Sequence, residues 1–356
     1  MDYSPGLEGV IALETRISFL DTEREEIVVR GYNLLELIQK KTYVDVLGLL
    51  LQGELPGPRE REALEAELLN ASVPKALWQL LQQLPAQSSA MDRLRTAVSA
   101  LGNFEGEAQV KTVGQVAALV ANLPRLAQGQ PPRSPQGQSF PEAFLFMIRG
   151  EAPTPLETRV FDQVLMAYSE HELPNSTFTA RVITSTLSDS FGALTGAVAS
   201  LKGPLHGGAN EAVMEMLLEA KTPEGLERLM REKLARKERI MGFGHRVYMH
   251  KPDPRAQILK ETLKELVRDP EGENLLAMCL RGEEVMREAK GLYPNLDYYA
   301  APVYYLLRVP IELYTPVFFA ARMAGLLAHI QEQRENNRLF RPRVRYLGPR
   351  GLRVTP

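Results

Sequence analysis

From Leu34 to Glu332 the apolar residues recur at helical spacing, and proline beside an acidic residue opens one segment after another. This pattern predicts an array of helices. Pro58-Arg59-Glu60 opens one, with Ala63, Leu64, Leu68 and Leu69 on its inner face. Pro155-Leu156-Glu157 opens another, with Val160, Val164 and Leu165 inward. Proline fits the first helical turn, where its missing N–H has no partner to lose, and an acid there meets the positive end of the helix dipole. Residues 224–234, 253–267, 273–289 and 316–332 follow the same grammar. Strand character is confined to residues 10–21 and 26–30, which predict a short hairpin. Strands and helices do not alternate, so a parallel sheet is excluded and the fold is expected to be mainly α.

Length and composition narrow the function. A chain of 356 residues makes one large or two ordinary domains. The formal net charge of −2 supplies no field for nucleic acid or an anionic membrane surface. The single cysteine, Cys279, excludes an internal disulfide framework and a cysteine-based zinc site, and suits a reducing, cytoplasmic setting. Residues 190–201 are read as the most apolar helical stretch, too short to span a bilayer. Residues 1–9 carry acids and no basic run with an apolar core, so no secretory leader is expected. The Ala-, Ser-, Thr- and Gly-rich residues 176–202 predict two closely packed helices, either core alone or core and subunit interface. Residues 129–137 (GQPPRSPQG) form a loop.

Phosphate-binding loop, nucleophile-elbow and dinucleotide signatures are missing. His245 and His250, five apart, fall on different helix faces, so no metal site is expected. His206 and His245 sit among glycines, which let backbone approach a ligand closely. His206 also precedes a predicted helix over residues 210–220. An imidazole at a helix N-terminus stays neutral and can donate a hydrogen bond to an oxygen becoming an enolate; equally, it can cap the loop. Asp297 stands among aromatic and small residues. It is either a partly desolvated base or the N-cap of a helix over residues 298–307. Arg322 follows the apolar run containing Phe318, and a guanidinium there needs an anion. Arg255 and Arg341 are further candidates, although arginines are so numerous here that any one is ordinarily a surface residue.

The motifs H-G-G-A-N (206–210), G-F-G-H-R-V-Y with D-P-R (242–255) and Y-P-N-L-D (293–297) resemble those of the citrate synthase family. So do G-V-I-A-L-E-T with R-G-Y (9–32), H-E-L with S-T-F-T-A-R (171–181), and A-R-M-A-G with N-R-L-F-R-P (321–342). They run in the family's order over nearly the whole chain. The resemblance implies a two-domain helical fold with a small N-terminal hairpin. Residues 1–208 and 313–356 would form the large domain, and residues 209–312 a small one that closes over substrate. It implies a homodimer that shares its active sites and needs no cofactor, acetyl-CoA entering as substrate and condensing with oxaloacetate and water.

By the same resemblance His206 would donate to the thioester carbonyl, Asp297 would take the methyl proton and His245 would polarise the ketone. His171, Arg255, Arg322, Phe318 and, from the partner subunit, Arg341 would hold oxaloacetate. Ile240, Met241, Gly242, Phe243 and Gly244 would meet CoA, and Lys251, in a stretch slightly longer than the family's usual one, would meet a CoA phosphate. A 2-methylcitrate synthase using propionyl-CoA is the near alternative; a catalytically silent binder of CoA or a dicarboxylate is the distant one.

Overall fold

The computed structural model of the chain describes residues 3–21, 24, 26–104, 106–244 and 251–354. A three-stranded antiparallel sheet comes first: β1 (Ser18–Asp21), β2 (Glu26–Val29) and β3 (Tyr32–Asn33), in that order. Ser18 pairs with Val29, and Val28 with Asn33. The expected hairpin is present, but its first strand covers only the last four of residues 10–21. Val10 and Ile11 are exposed and face no core that would fix a strand register. The third strand follows a turn in which Arg30 and Gly31 both take positive φ.

Sixteen α-helices follow among the described residues. The first six are α1 (Leu34–Lys40), α2 (Tyr43–Gln52), α3 (Pro58–Leu69), α4 (Lys75–Gln82), α5 (Ala90–Leu101) and α6 (Gln109–Ala127). Next come α7 (Phe140–Arg149), α8 (Pro155–Ser169), α9 (Asn175–Thr184), α10 (Ser190–Leu201) and α11 (Ala209–Ala220). The last are α12 (Pro223–Ala235), α13 (Pro254–Leu266), α14 (Pro270–Lys290), α15 (Leu296–Leu306) and α16 (Tyr314–Glu335). Proline opens α3, α8, α12, α13 and α14 as the sequence predicts. Thr154 and Glu157 cap α8 reciprocally, satisfying donors that the helix leaves free. On α3, Leu64 and Leu68 are buried, but Ala63 is exposed: the inner face is narrower than expected.

One continuous core joins the sheet to α2, α6, α8, α11, α15 and α16. A smaller cluster under α4, α5 and α6 is centred on Leu77, Leu101 and Leu126. Helices α9 and α10 pack closely because a Cβ at Gly196 would lie 2.2 Å from Ile183 Cδ1. Residues 190–201 form the short apolar helix α10, as read, and Ile311–Glu335 is a second, longer apolar stretch. The latter is long and apolar enough to cross a membrane by length and composition, yet its most apolar stretch is buried inside the protein. That stretch is apolar on every side because it is surrounded on every side.

Candidate active site

The end of α8, the starts of α9, α11, α13 and α15, and the middle of α16 converge on one cleft of about 770 Å³. His206, Asp297, His171, Arg255, Arg322 and Phe318 all line it. So do all five residues of the glycine-rich segment 240–244. Gly242 has a φ of 87°, and a Cβ there would lie 2.6 Å from Val213 Cγ2, so both its conformation and its space require glycine. Asn295 N–H donates to Gly242 O at 2.9 Å and Gly244 N–H to Tyr293 O at 2.9 Å. These bonds tie the segment to the stretch that carries Asp297.

His206 lies just before α11, but the helix that holds it is α9. The backbone N–H of Ser176, in the first turn of α9, donates to His206 Nε2 at 3.3 Å, and the Ser176 hydroxyl lies 2.9 Å from the same nitrogen. A first-turn N–H has no partner within its own helix and is free to do this. Because Nε2 accepts, the proton of the neutral ring sits on Nδ1. Burial, reinforced by the Arg322 charge, pushes the imidazole pKa down to about 4. Burial and the nearby cation thus favour the neutral imidazole at pH 7.

Asp297 does not cap α15. Asn295 does, its side chain accepting from Asp297 N–H at 3.1 Å. The Asp297 carboxylate is thereby free for other work, and its Oδ1 accepts from the Tyr168 hydroxyl at 2.6 Å. Burial pushes its pKa up to about 6, against the opposing pull of Tyr168 and Arg255. A carboxylate so placed is ionised at neutral pH and more basic than in water.

Arg322 is buried at the cleft wall. Its Nε donates to Tyr168 O at 2.5 Å, its guanidinium carbon lies 4.9 Å from the Phe318 ring centre, and Nη1 has no hydrogen-bonding partner among the described residues. Burial lowers its pKa to about 10, so it stays cationic at neutral pH. Arg255 is equally buried and forms a two-pronged pair with Asp253, Nη2 to Oδ2 at 2.8 Å and Nε to Oδ1 at 3.1 Å. Behind the cleft, Glu170 is fully buried between Ser18 Oγ (2.7 Å) and His329 Nε2 (3.1 Å). Burial alone would raise the Glu170 carboxyl; His329, Arg322 and the Ser18 hydroxyl together hold the group below the ordinary carboxylate range.

Two other expected residues stand apart. Lys251 is exposed and does not line the cleft, and Arg341 is exposed in the tail beyond α16. His245 lies outside the described residues. Sequence reasoning missed Tyr168, Ser176 and Asp253. Asp253, two residues before Arg255, was within reach as its ion-pair partner. Tyr168 lies 129 residues from Asp297 and no local pattern marks it.

The family model described as citrate synthase, C-terminal domain, matches residues 6–343. The chain belongs to the citrate synthase family. Its activity is that of a citrate synthase, an acyltransferase. Among its relatives is the citrate synthase of Heyndrickxia coagulans, 55% identical over 365 residues, covering 99% of this chain and 98% of that one. Another is the citrate/2-methylcitrate synthase of Bacillus subtilis (strain 168), 54% identical over 361 residues, covering 98% and 97%. Among solved structures, the citrate synthase of the thermophilic archaeon Thermoplasma acidophilum, a ternary complex with carboxymethyl coenzyme A and oxaloacetate, superposes with a TM-score of 0.94. It is 32% identical and covers 100% of this chain and 98% of that one.

Proposed function

We propose that this cleft condenses acetyl-CoA with oxaloacetate and water to give citrate and CoA. The observation that carries the assignment is one juxtaposition: a carboxylate with a pKa of about 6, a neutral imidazole with its proton on Nδ1, and two buried guanidinium groups line a single cleft. A thioester methyl is a very weak carbon acid. Removing its proton needs a base and simultaneous stabilisation of the enolate oxygen. Asp297 takes the proton and His206 Nδ1–H donates to the oxygen. The enolate carbon then attacks the ketone carbon of oxaloacetate, and the ketone oxygen gains a proton. His245, by the family resemblance, polarises that ketone. Water cleaves the thioester, releasing CoA as a thiol and citrate as the acid.

Arg322, with an open Nη1, and Arg255 and His171 hold the carboxylates of oxaloacetate, and Phe318 packs beside them. Ile240, Met241, Gly242, Phe243 and Gly244 receive CoA, which is a substrate and not a resident cofactor. Lys251 stands nearer the surface for a CoA phosphate. Helices α11 to α15 pack chiefly on one another, which supports residues 209–312 as a small domain closing over residues 1–208 and 313–356. The functional unit is a homodimer in the cytoplasm, each cleft completed by the partner's Arg341.

Propionyl-CoA is the second acyl substrate to weigh, because a relative 54% identical is named for both activities. One methylene is worth only about 1–3 kcal/mol in a pocket, so the named groups serve either thioester. Initial rates of CoA-thiol release with oxaloacetate and each thioester decide. We expect acetyl-CoA to give the higher kcat/KM. A higher value for propionyl-CoA overturns the acetyl preference, and no thiol release with either overturns the function.

A further inference from the structure

We propose that Tyr168 is a positioning residue for the base: its hydroxyl holds one oxygen of the Asp297 carboxylate and leaves the other open to the cleft for the methyl proton. This rests on the reading of Asp297 as the base given above.

Tyr168 is fixed at several points. It occupies the last turn of α8 and is fully buried. Its ring packs on Phe318, with centroids 4.4 Å apart, and stacks on Tyr304 at 6.3 Å with planes 8° apart. Its carbonyl accepts from Arg322 Nε. One residue thus touches both the base and the guanidinium assigned to the second substrate. A ring so confined holds its hydroxyl in one place, 2.6 Å from Asp297 Oδ1.

The direction of the bond is also set. Burial keeps the phenol protonated at any working pH. The Asn210 amide lies near the phenol, but its buried nitrogen makes no hydrogen bond among the described residues. An ionised carboxylate only accepts, so the phenol proton goes to Asp297. The other charged or titratable groups facing Asp297 are Asp253 and Arg255 from the start of α13, Arg322 from α16, and Tyr304 from α15 itself. Asp253 makes the carboxylate harder to ionise, and the two arginines make it easier. Tyr168 is the largest influence opposing burial, so it keeps a desolvated carboxylate ionised at neutral pH.

The test is the pH dependence of kcat with both substrates saturating. In Tyr168→Phe the acidic limb should move to higher pH by about half a unit or more, with the KM for oxaloacetate unchanged. Tyr304→Phe, which removes a hydroxyl with no hydrogen-bonding partner among the described residues, should leave the limb in place. Replacing Tyr168 by 3-fluorotyrosine makes the phenol a stronger donor and should move the limb to lower pH. Loosened packing cannot produce opposite shifts from the two replacements. A limb unmoved in both, or moved the same way by both, overturns the proposal. If the phenylalanine variant does not fold, the fluorotyrosine protein decides alone: a downward shift supports the role, and no shift overturns it. An Asp297→Asn enzyme that keeps its turnover overturns the base assignment itself. An inactive Asp297→Asn enzyme with an unmoved Tyr168 limb overturns only the present inference.

Discussion

Asp297 combines two demands that conflict. A base must be desolvated to be strong, and a desolvated carboxylate costs stability wherever it is ionised. Its pKa in the fold, about 6, lies above the ordinary carboxylate value of 3.8. Below the ordinary value both folded and unfolded forms are protonated and the group costs nothing. As pH rises from there through 6, the unfolded chain ionises first, and the fold loses stability. Above 6 the deficit is complete, on the order of 3 kcal/mol. Asp297→Asn removes it and still accepts the Tyr168 hydroxyl. The variant should therefore lose most of kcat while gaining thermal stability, with the gain opening between pH 4 and 6 and absent below. Calorimetry across that range checks the second half; a variant no more stable at pH 7 than the parent refutes it. At this scale the sequence exposed the candidates but not what governs them. Glycine and aromatic neighbours marked His206 and Asp297, whereas Ser176 and Tyr168 are brought to them only by the packing of helices distant in the chain.

The same division holds for elements. Proline, acid and apolar spacing located the long helices because those signals are local. Strand β3 escaped because two residues carry no period. Helix α16 runs two residues before and three beyond the predicted 316–332, a difference of the size that helix ends ordinarily carry. One stripe on α16 joins the element to the cleft: Arg322, Gly325 and His329 share a face and meet Tyr168, Ser169 and Glu170 in turn. Gly325 sets the closeness of that contact. A Cβ there would lie 2.1 Å from Glu170 Oε2 and 2.6 Å from Ser169 O. The serine oxygen is backbone and Glu170 is pinned by Ser18 and His329, so neither can give. Gly325→Ala should cost about 1–3 kcal/mol and raise the KM for oxaloacetate, since the displaced segment carries His171. Gly106→Ala, whose Cβ would meet nothing within 4 Å, is the control. Denaturant melts and substrate titrations of both variants check this; equal stabilities would show that the stripe does not set the register.

In the whole molecule, the tail beyond α16 is the part that a single chain does not account for. Its root is fastened: Asn337 Nδ2 donates to Ser185 O at 3.0 Å, and Phe340 meets Phe178 edge to face at 5.6 Å. From Arg341 onward the described residues form no helix or strand and are exposed, Val344 and Leu347 each at 86%. Exposed apolar side chains on an extended segment suit burial against another surface, and Arg341 lies outside the cleft of its own chain. The sequence offered the tail only as a run of arginine and proline; its use as an arm came from the family resemblance. If the arm completes the cleft of a second copy, mixed dimers reveal it. A His206→Ala chain and an Arg341→Ala chain should each be severely impaired as homodimers. When they are unfolded and refolded together, one cleft of the hybrid collects both lesions. The other combines an intact His206 with an intact Arg341 from the partner, so activity should return on mixing. If Arg341 serves its own chain, every cleft in the hybrid lacks one group and no activity returns. With hybrid formation verified by mass, absence of recovery would exclude the shared cleft.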